Sequence, residues 1–334
     1  MELFEDHKTF PHTDLMKTTI SLTSRRSFFK LVTVFFLVAL PRLPSAQTTP
    51  ASAGSPTVVF IGNSFTFGSR SAVQFYRADS VTDLNGDGRG GVPALFKAFA
   101  LQAGLNFEVF HELIPGSGLD RHLAEKAAIL SRPWDHVIMH GYSTLDRDKP
   151  GDPGLLLWST AKMAELLHAQ NPAVDIRIEA TWSRADETYV PTGHWYGKNI
   201  DTMAKDVRAG YDLAAANCPL IRGVVPVGEA WNRAMAGGVA DPNPYDGIGP
   251  EQVNLWTHDH YHGSTHGYYL AALVVFGEIT GLDPRSLGEK ERCAFELGIS
   301  PSHVTALQQV AFEELVANTP TPKLKTFEPV ALPR

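Results

Sequence analysis

Cysteine is nearly absent: the 334-residue chain holds two, Cys218 and Cys293. Two thiols close at most one bridge and make no disulfide framework, so a fold of this length must rest on a packed core. Positive charge is also scarce. There are 29 Lys and Arg against 36 Asp and Glu, a formal charge of −7. That balance argues against a nucleic acid or an anionic membrane surface as partner. No uncharged apolar run approaches the ~20 residues needed to span a bilayer. An HExxH metal motif is missing, as are repeats and low-complexity blocks beyond a Ser/Thr/Ala/Pro-rich linker at 45–56. What remains, 43% hydrophobic and 19% charged, is an ordinary globular composition.

The N-terminal region reads as an address. Ser24-Arg25-Arg26-Ser27-Phe28-Phe29-Lys30 precedes the uncharged run Leu31–Leu40. Paired arginines, an aromatic pair, a lysine and a short apolar stretch match a twin-arginine export signal. Pro44-Ser45-Ala46 and Ala51-Ser52-Ala53 offer small-residue cleavage sites, the first favoured, and Met16 is an alternative start. The expected organisation is a signal at 1–46, a linker at 47–56, a domain at 57–320 and a tail at 321–334. Removing the signal leaves 23 basic and 32 acidic groups, a charge of −9. A periplasmic or secreted product follows, with no stable membrane anchor after cleavage. Because twin-arginine export carries folded proteins, a fold independent of disulfides is expected.

Strand-like runs at 58–61, 107–113, 136–140, 175–181 and 223–227 alternate with helical patterns at 93–103, 119–130, 155–170, 199–216, 265–280 and 301–318. Such alternation is the mark of a parallel sheet covered on both faces. The fold class expected is α/β, a three-layer α/β/α sandwich around a central parallel sheet of about five strands.

Two segments carry chemistry. The buried-strand run Val58–Ile61 stops at Gly62-Asn63-Ser64, which puts a serine at the carboxyl end of a central strand. Open α/β sheets place their ligands at that rim. Taken alone, Ser64 is equally a turn residue or a helix N-cap. A hydroxyl nucleophile needs an imidazole to take its proton, and the imidazole needs an acceptor on its far nitrogen. Asp259-x-x-His262, followed by an apolar helix, can supply both from one loop.

Together these segments resemble the SGNH (GDSL-like) hydrolase superfamily over roughly residues 57–282. Gly62-Asn63-Ser64-Phe65-Thr66 is similar to its first block, with Ser64 as nucleophile. Asp259-x-x-His262, with Ser264, Gly267 and Tyr269-Leu270-Ala271-Ala272, is similar to its last. Gly116 in Gly116-Ser117-Gly118-Leu119 falls where the family carries an oxyanion-hole glycine. The resemblance implies a flavodoxin-like sandwich and ester hydrolysis through an acyl-enzyme without a cofactor, on a small-molecule or carbohydrate ester. Ser64, Asp259 and His262 would then be catalytic. The chain departs from the family after the third strand: Gly-x-Asn-Asp is replaced by His140-Gly141-Tyr142-Ser143. His140 or Ser143 would have to supply the third oxyanion donor, or the amides of Ser64 and Gly116 would serve without one.

Other patterns offer rivals. His258, His260, His262 and His266 invite a metal-dependent hydrolase, and a non-catalytic carbohydrate-binding envelope protein on the same fold is a further alternative. Asp83, Asn85 and Asp87 have the spacing of a calcium loop, although Ala94 stands where the closing glutamate is needed. Asn63 and Trp182 are expected to line a substrate cleft, the latter from the end of its strand. The export reading is checked by the intact mass of secreted material, which is expected to begin near residue 47; product still carrying Lys30 overturns it.

Overall fold

The apolar run at 58–61 becomes the centre of β1 (Thr57–Gly62) in the computed structural model, which describes residues 54–318 and 324–331. Successive side chains of a strand point to opposite faces. Accordingly Val58 and Phe60 enter one hydrophobic cluster, and Val59 and Ile61 the other. The same division recurs in β4 (His136–Met139), where Ile138 joins the first cluster and Val137 and Met139 the second.

The other strands are β2 (Thr82–Asp83), β3 (Glu108–Leu113), β5 (Asp175–Glu179) and β6 (Ile221–Val225). All pairings are parallel, in the order β2-β3-β1-β4-β5-β6. The expected strands are all present. The sixth, β2, is a two-residue edge beside β3, too short to show any periodicity in sequence.

Helices α1 (Gly91–Gln102), α6 (Val227–Ala236), α7 (Thr265–Thr280) and α9 (Pro301–Asn318) cover the face holding Val58 and Phe60. Helices α2 (Leu119–Leu130), α3 (Gly154–His168) and α5 (Asp201–Asn217) cover the other. Two short helices, α4 (Ala185–Tyr189) and α8 (Arg292–Glu296), complete the set among the described residues. The result is the three-layer α/β/α sandwich. Helix α6, missed in sequence, follows directly on β6 after Pro226.

Chain direction across the sheet reverses at β1. The crossover to β3 runs through α1 on one face, and the return to β4 runs through α2 on the other. Counted from β1 to β3, past the two-residue edge β2, right-handed crossovers make that switch of faces obligatory. It opens a crevice at the carboxyl ends of β1, β3 and β4, the place where doubly wound sheets bind ligands.

The described residues, 54–318 and 324–331, form one compact unit. Part of the expected tail packs on it: Lys325 bridges to Leu282, and the Val330 amide donates to the Gln102 carbonyl at 2.7 Å. The export leader, Met16, both cleavage sites and residues 319–323 and 332–334 lie outside the described residues. Cys218 and Cys293 are buried and free. They belong to clusters on opposite faces of the sheet, so they do not pair. No helix among the described residues is long and apolar enough to cross a membrane.

Trp182 is not a cleft residue. It is fully buried, stacked between Phe65 at 4.1 Å and Trp231 at 4.5 Å, with its indole N–H on the Tyr261 carbonyl at 3.3 Å. The strand end turns it inward because that is where these aromatic partners lie. Trp182→Ala is expected to cost about 3–5 kcal/mol in urea unfolding; a loss below about 1 kcal/mol would contradict this packing role.

Candidate active site

The exit from β1 is built on Gly62 and Asn63. A Cβ at Gly62 would collide with the His140 ring, so glycine there lets β4 close against β1. The Asn63 side chain joins three strand ends. Its Nδ2 donates to the Ser117 carbonyl beyond β3 at 2.8 Å and to the Gly141 carbonyl beyond β4 at 3.2 Å. Its Oδ1 accepts from the Phe65 amide at 3.1 Å. Ser64 follows at the carboxyl end of β1, 6% exposed. Its carbonyl is held by the Ser69 amide at 3.2 Å and by the Tyr268 hydroxyl of α7 at 3.1 Å. Its own amide and hydroxyl have no partner among the described residues.

Residues 257–262 fold around one carboxylate. Asp259 Oδ1 accepts from the Thr257 hydroxyl at 2.8 Å, the Tyr261 amide at 3.1 Å and the His262 amide at 2.9 Å. Oδ2 accepts from His262 Nδ1 at 2.7 Å and pairs with Arg70 Nε at 2.9 Å. Burial works against the Asp259 charge, but the bonds from His262, Thr257 and Tyr261 outweigh it and hold the carboxyl well below the usual range. With Nδ1–H committed to Asp259, His262 keeps Nε2 as its acceptor. Burial pulls the imidazole pKa down, Asp259 pushes it up, and Arg70 and Arg184 pull it down; the net direction is downward. His262 is therefore a neutral base at and somewhat below ordinary histidine pH.

Three contacts set this turn beside Ser64. The Phe65 ring lies 5.9 Å from the His262 ring, Arg70 on the segment after Ser64 holds Asp259, and Tyr268 reaches the Ser64 carbonyl. Helix α7 backs both halves, because its N-cap Ser264 follows His262 after the single residue Gly263 and accepts from the Gly267 amide at 3.2 Å.

Gly116, at φ 61° and exposed, follows β3 on the far side of the crevice, and its amide has no partner among the described residues. It lines a cleft of about 440 Å³ together with Asn63 and Ser143. Asn63 thus reaches the cleft wall, although its amide group is spent on the strand ends. The Ser143 hydroxyl likewise has no partner among the described residues. His140 is not a third oxyanion donor. It is 1% exposed, its Nδ1 donates to the Gly141 carbonyl at 3.0 Å, and its Nε2 meets Thr66 Oγ1 at 2.8 Å. Burial lowers its pKa to about 4, so it is a neutral residue locked between β1 and β4.

A second serine–histidine–carboxylate chain lies under the Gly116 loop. Ser117 Oγ meets His122 Nε2 at 3.0 Å and the Ile114 carbonyl at 2.8 Å, while His122 Nδ1 bonds to Glu112. All three side chains are fully buried, which rules out a nucleophile and marks a scaffold for Gly116. In sequence this chain and Arg70 gave no signal, since their partners meet only across the fold.

The rival centres disperse. His258 faces Arg70, His260 lies against Tyr245, and His266 meets His303. Only His262 joins Asp259. The Asp83 oxygens accept from the amides of Asn85, Gly86 and Arg89, Asn85 bonds Glu112 and the Leu113 amide, and Asp87 pairs with Arg89. These oxygens cap their own loop and do not converge on a cation. A larger groove of about 1090 Å³ between α6 and α9 contains none of the crevice residues.

No family model matches the chain, and no curated protein matches it. Among solved structures it is similar to a DUF4886 family protein from Bacteroides uniformis, at 17% identity over 78% of this chain and 95% of that one, with a TM-score of 0.54. A candidate GDSL-like lipase from Parabacteroides merdae aligns at 16% identity over 68% and 96%, TM-score 0.48. A family 3 carbohydrate esterase from Clostridium thermocellum aligns at 13% over 66% and 94%, TM-score 0.43. The first likeness is one of fold; the two lower scores add nothing to it.

The Arg70 arrangement has a measurable consequence. Removing a cation from beside an imidazole raises its pKa, so Arg70→Gln is expected to move the His262 titration to higher pH. Imidazole proton NMR checks it; an unchanged or lower midpoint would refute the assigned electrostatics.

Proposed function

We propose that the protein is an exported serine esterase that cleaves carboxylic esters, among them acyl groups on carbohydrates. The observation that carries this reading is the Asp259–His262 pair, with its free Nε2, set beside Ser64 at the switch point of the sheet. Export rests on the leader at 24–40.

In this reading His262 Nε2 takes the Ser64 proton as Oγ attacks the ester carbonyl. Asp259 fixes the tautomer and offsets the imidazolium charge that forms. The free amides of Ser64 and Gly116 receive the developing oxyanion, and the Ser143 hydroxyl, which lines the same cleft as Gly116, is the candidate third donor. One such donor is worth on the order of 3 kcal/mol of transition-state stabilisation. Imidazolium then protonates the leaving alcohol, and a water activated by His262 releases the acid. No step asks for a cofactor.

Activity is expected to fall on the acid side below the ordinary histidine value of 6.5, since protonated His262 cannot accept the serine proton and its pKa is depressed. Ser64→Ala is expected to lower kcat by more than about 10⁴-fold with the fold retained by circular dichroism. An organophosphonate should label the Ser64 peptide; ester turnover without that adduct, or undiminished in Ser64→Ala, would overturn the mechanism.

A further inference from the structure

The cleft that begins at Gly116 and Asn63 is basic, in a chain with an acidic excess. Its charged lining residues are Arg121, Arg147, Arg184 and Glu187. Glu187 does not oppose the arginines freely: Oε1 lies 3.4 Å from Arg184 Nη2, and Oε2 accepts the His194 amide at 2.8 Å.

The guanidinium groups keep donors in reserve. Arg121 commits Nε to Glu125 at 2.8 Å, leaving both Nη groups. Arg184 commits Nε and Nη2 to Asp186 and leaves Nη1. Its guanidinium carbon also lies 3.8 Å from the Tyr261 ring centroid, and the Tyr261 ring lies tilted against His262 at 4.1 Å, which ties its position to that of the base. Arg147 is exposed and has no partner among the described residues. A fork of fixed N–H groups pairs with a carboxylate or sulfate through two parallel bonds. A neutral substrate would leave these donors facing water.

We propose that the substrate is an anionic ester: an acylated sugar, or a comparable small alcohol, bearing an oxyanion that Arg147 binds with help from Arg121 and Arg184. This rests on the esterase reading of Ser64. Glu187 and the carboxylates behind Arg121 and Arg184 keep those two side chains in place, and Arg147 supplies the uncompensated charge.

The test compares acetate release from three matched probes: acetylated methyl glucuronoside, acetylated methyl glucoside 6-sulfate and acetylated methyl glucoside. One or both anionic probes are expected to exceed the neutral one in kcat/KM by about tenfold or more, with the advantage shrinking as salt is raised. Preference for one anion over the other identifies carboxylate or sulfate as the source. Arg147→Gln is expected to collapse the anionic-to-neutral ratio mainly through KM, and Arg147→Lys to restore it in part. Ser64-dependent turnover of all three at equal efficiency overturns this inference and leaves the esterase reading standing. Failure to turn over any ester removes the esterase reading. Calorimetry of Ser64→Ala with the same three probes then decides the cleft: anion-selective binding lost in Arg147→Gln supports the oxyanion site, and equal or absent binding overturns it.

Discussion

The amide side chain of Asn63 is the constraint on which the crevice depends. In a parallel sheet nothing in the backbone ladder ties the carboxyl ends of neighbouring strands once they leave the sheet. Asn63 does so with three buried hydrogen bonds, to the carbonyls after β3 and β4 and to the amide after Ser64. Each buried polar group left unpaired would cost about 1–3 kcal/mol, so the three loops are fixed together or not at all. Ser64, the Gly116 amide and the Ser143 hydroxyl inherit their relative placement from that one side chain. Ser117 reinforces it from below, since its carbonyl accepts from Asn63 and its hydroxyl meets His122.

Much of the architecture was legible because buried parallel strands and amphipathic helices leave periodic traces. β1 could be read from Val58–Ile61, and Ser64 and the Asp259–His262 turn from their positions at element ends. The misreadings share a cause. A strand-end Trp182 and a strand-end His140 look the same whether they face a cleft or the interior; the difference lies in Phe65, Trp231 and Thr66, which reach them from elsewhere in the chain. The Asp83 loop has the composition of a cation site because carboxylates that cap their own turn and carboxylates that bind calcium need the same spacing. Helix α6 starts directly behind a strand, so its periodicity merges with the apolar end of β6.

Electrostatics divide the crevice into two working parts. Around Asp259, five donors consume the carboxylate, so it orients His262 and has no capacity left to act as a base itself. Across the crevice the balance reverses, and spare guanidinium donors outnumber the carboxylates that face them. Arg184 belongs to both parts. It lies over Tyr261, and through its charge it helps keep the His262 imidazole neutral.

The bond from Tyr268 to the Ser64 carbonyl joins residues 204 positions apart. Ser64 leaves the first strand of the sheet, whereas His262 comes just before the helix that covers it. Closing so long a loop is entropically costly and rewards the chain only when the intervening strands have already paired. The juxtaposition of Ser64 and His262 is therefore among the last things this polypeptide acquires as it folds. A chain interrupted before α7 would lack both the apolar face that Tyr268–Phe276 lay on the sheet and the Tyr268 bond that holds the Ser64 carbonyl.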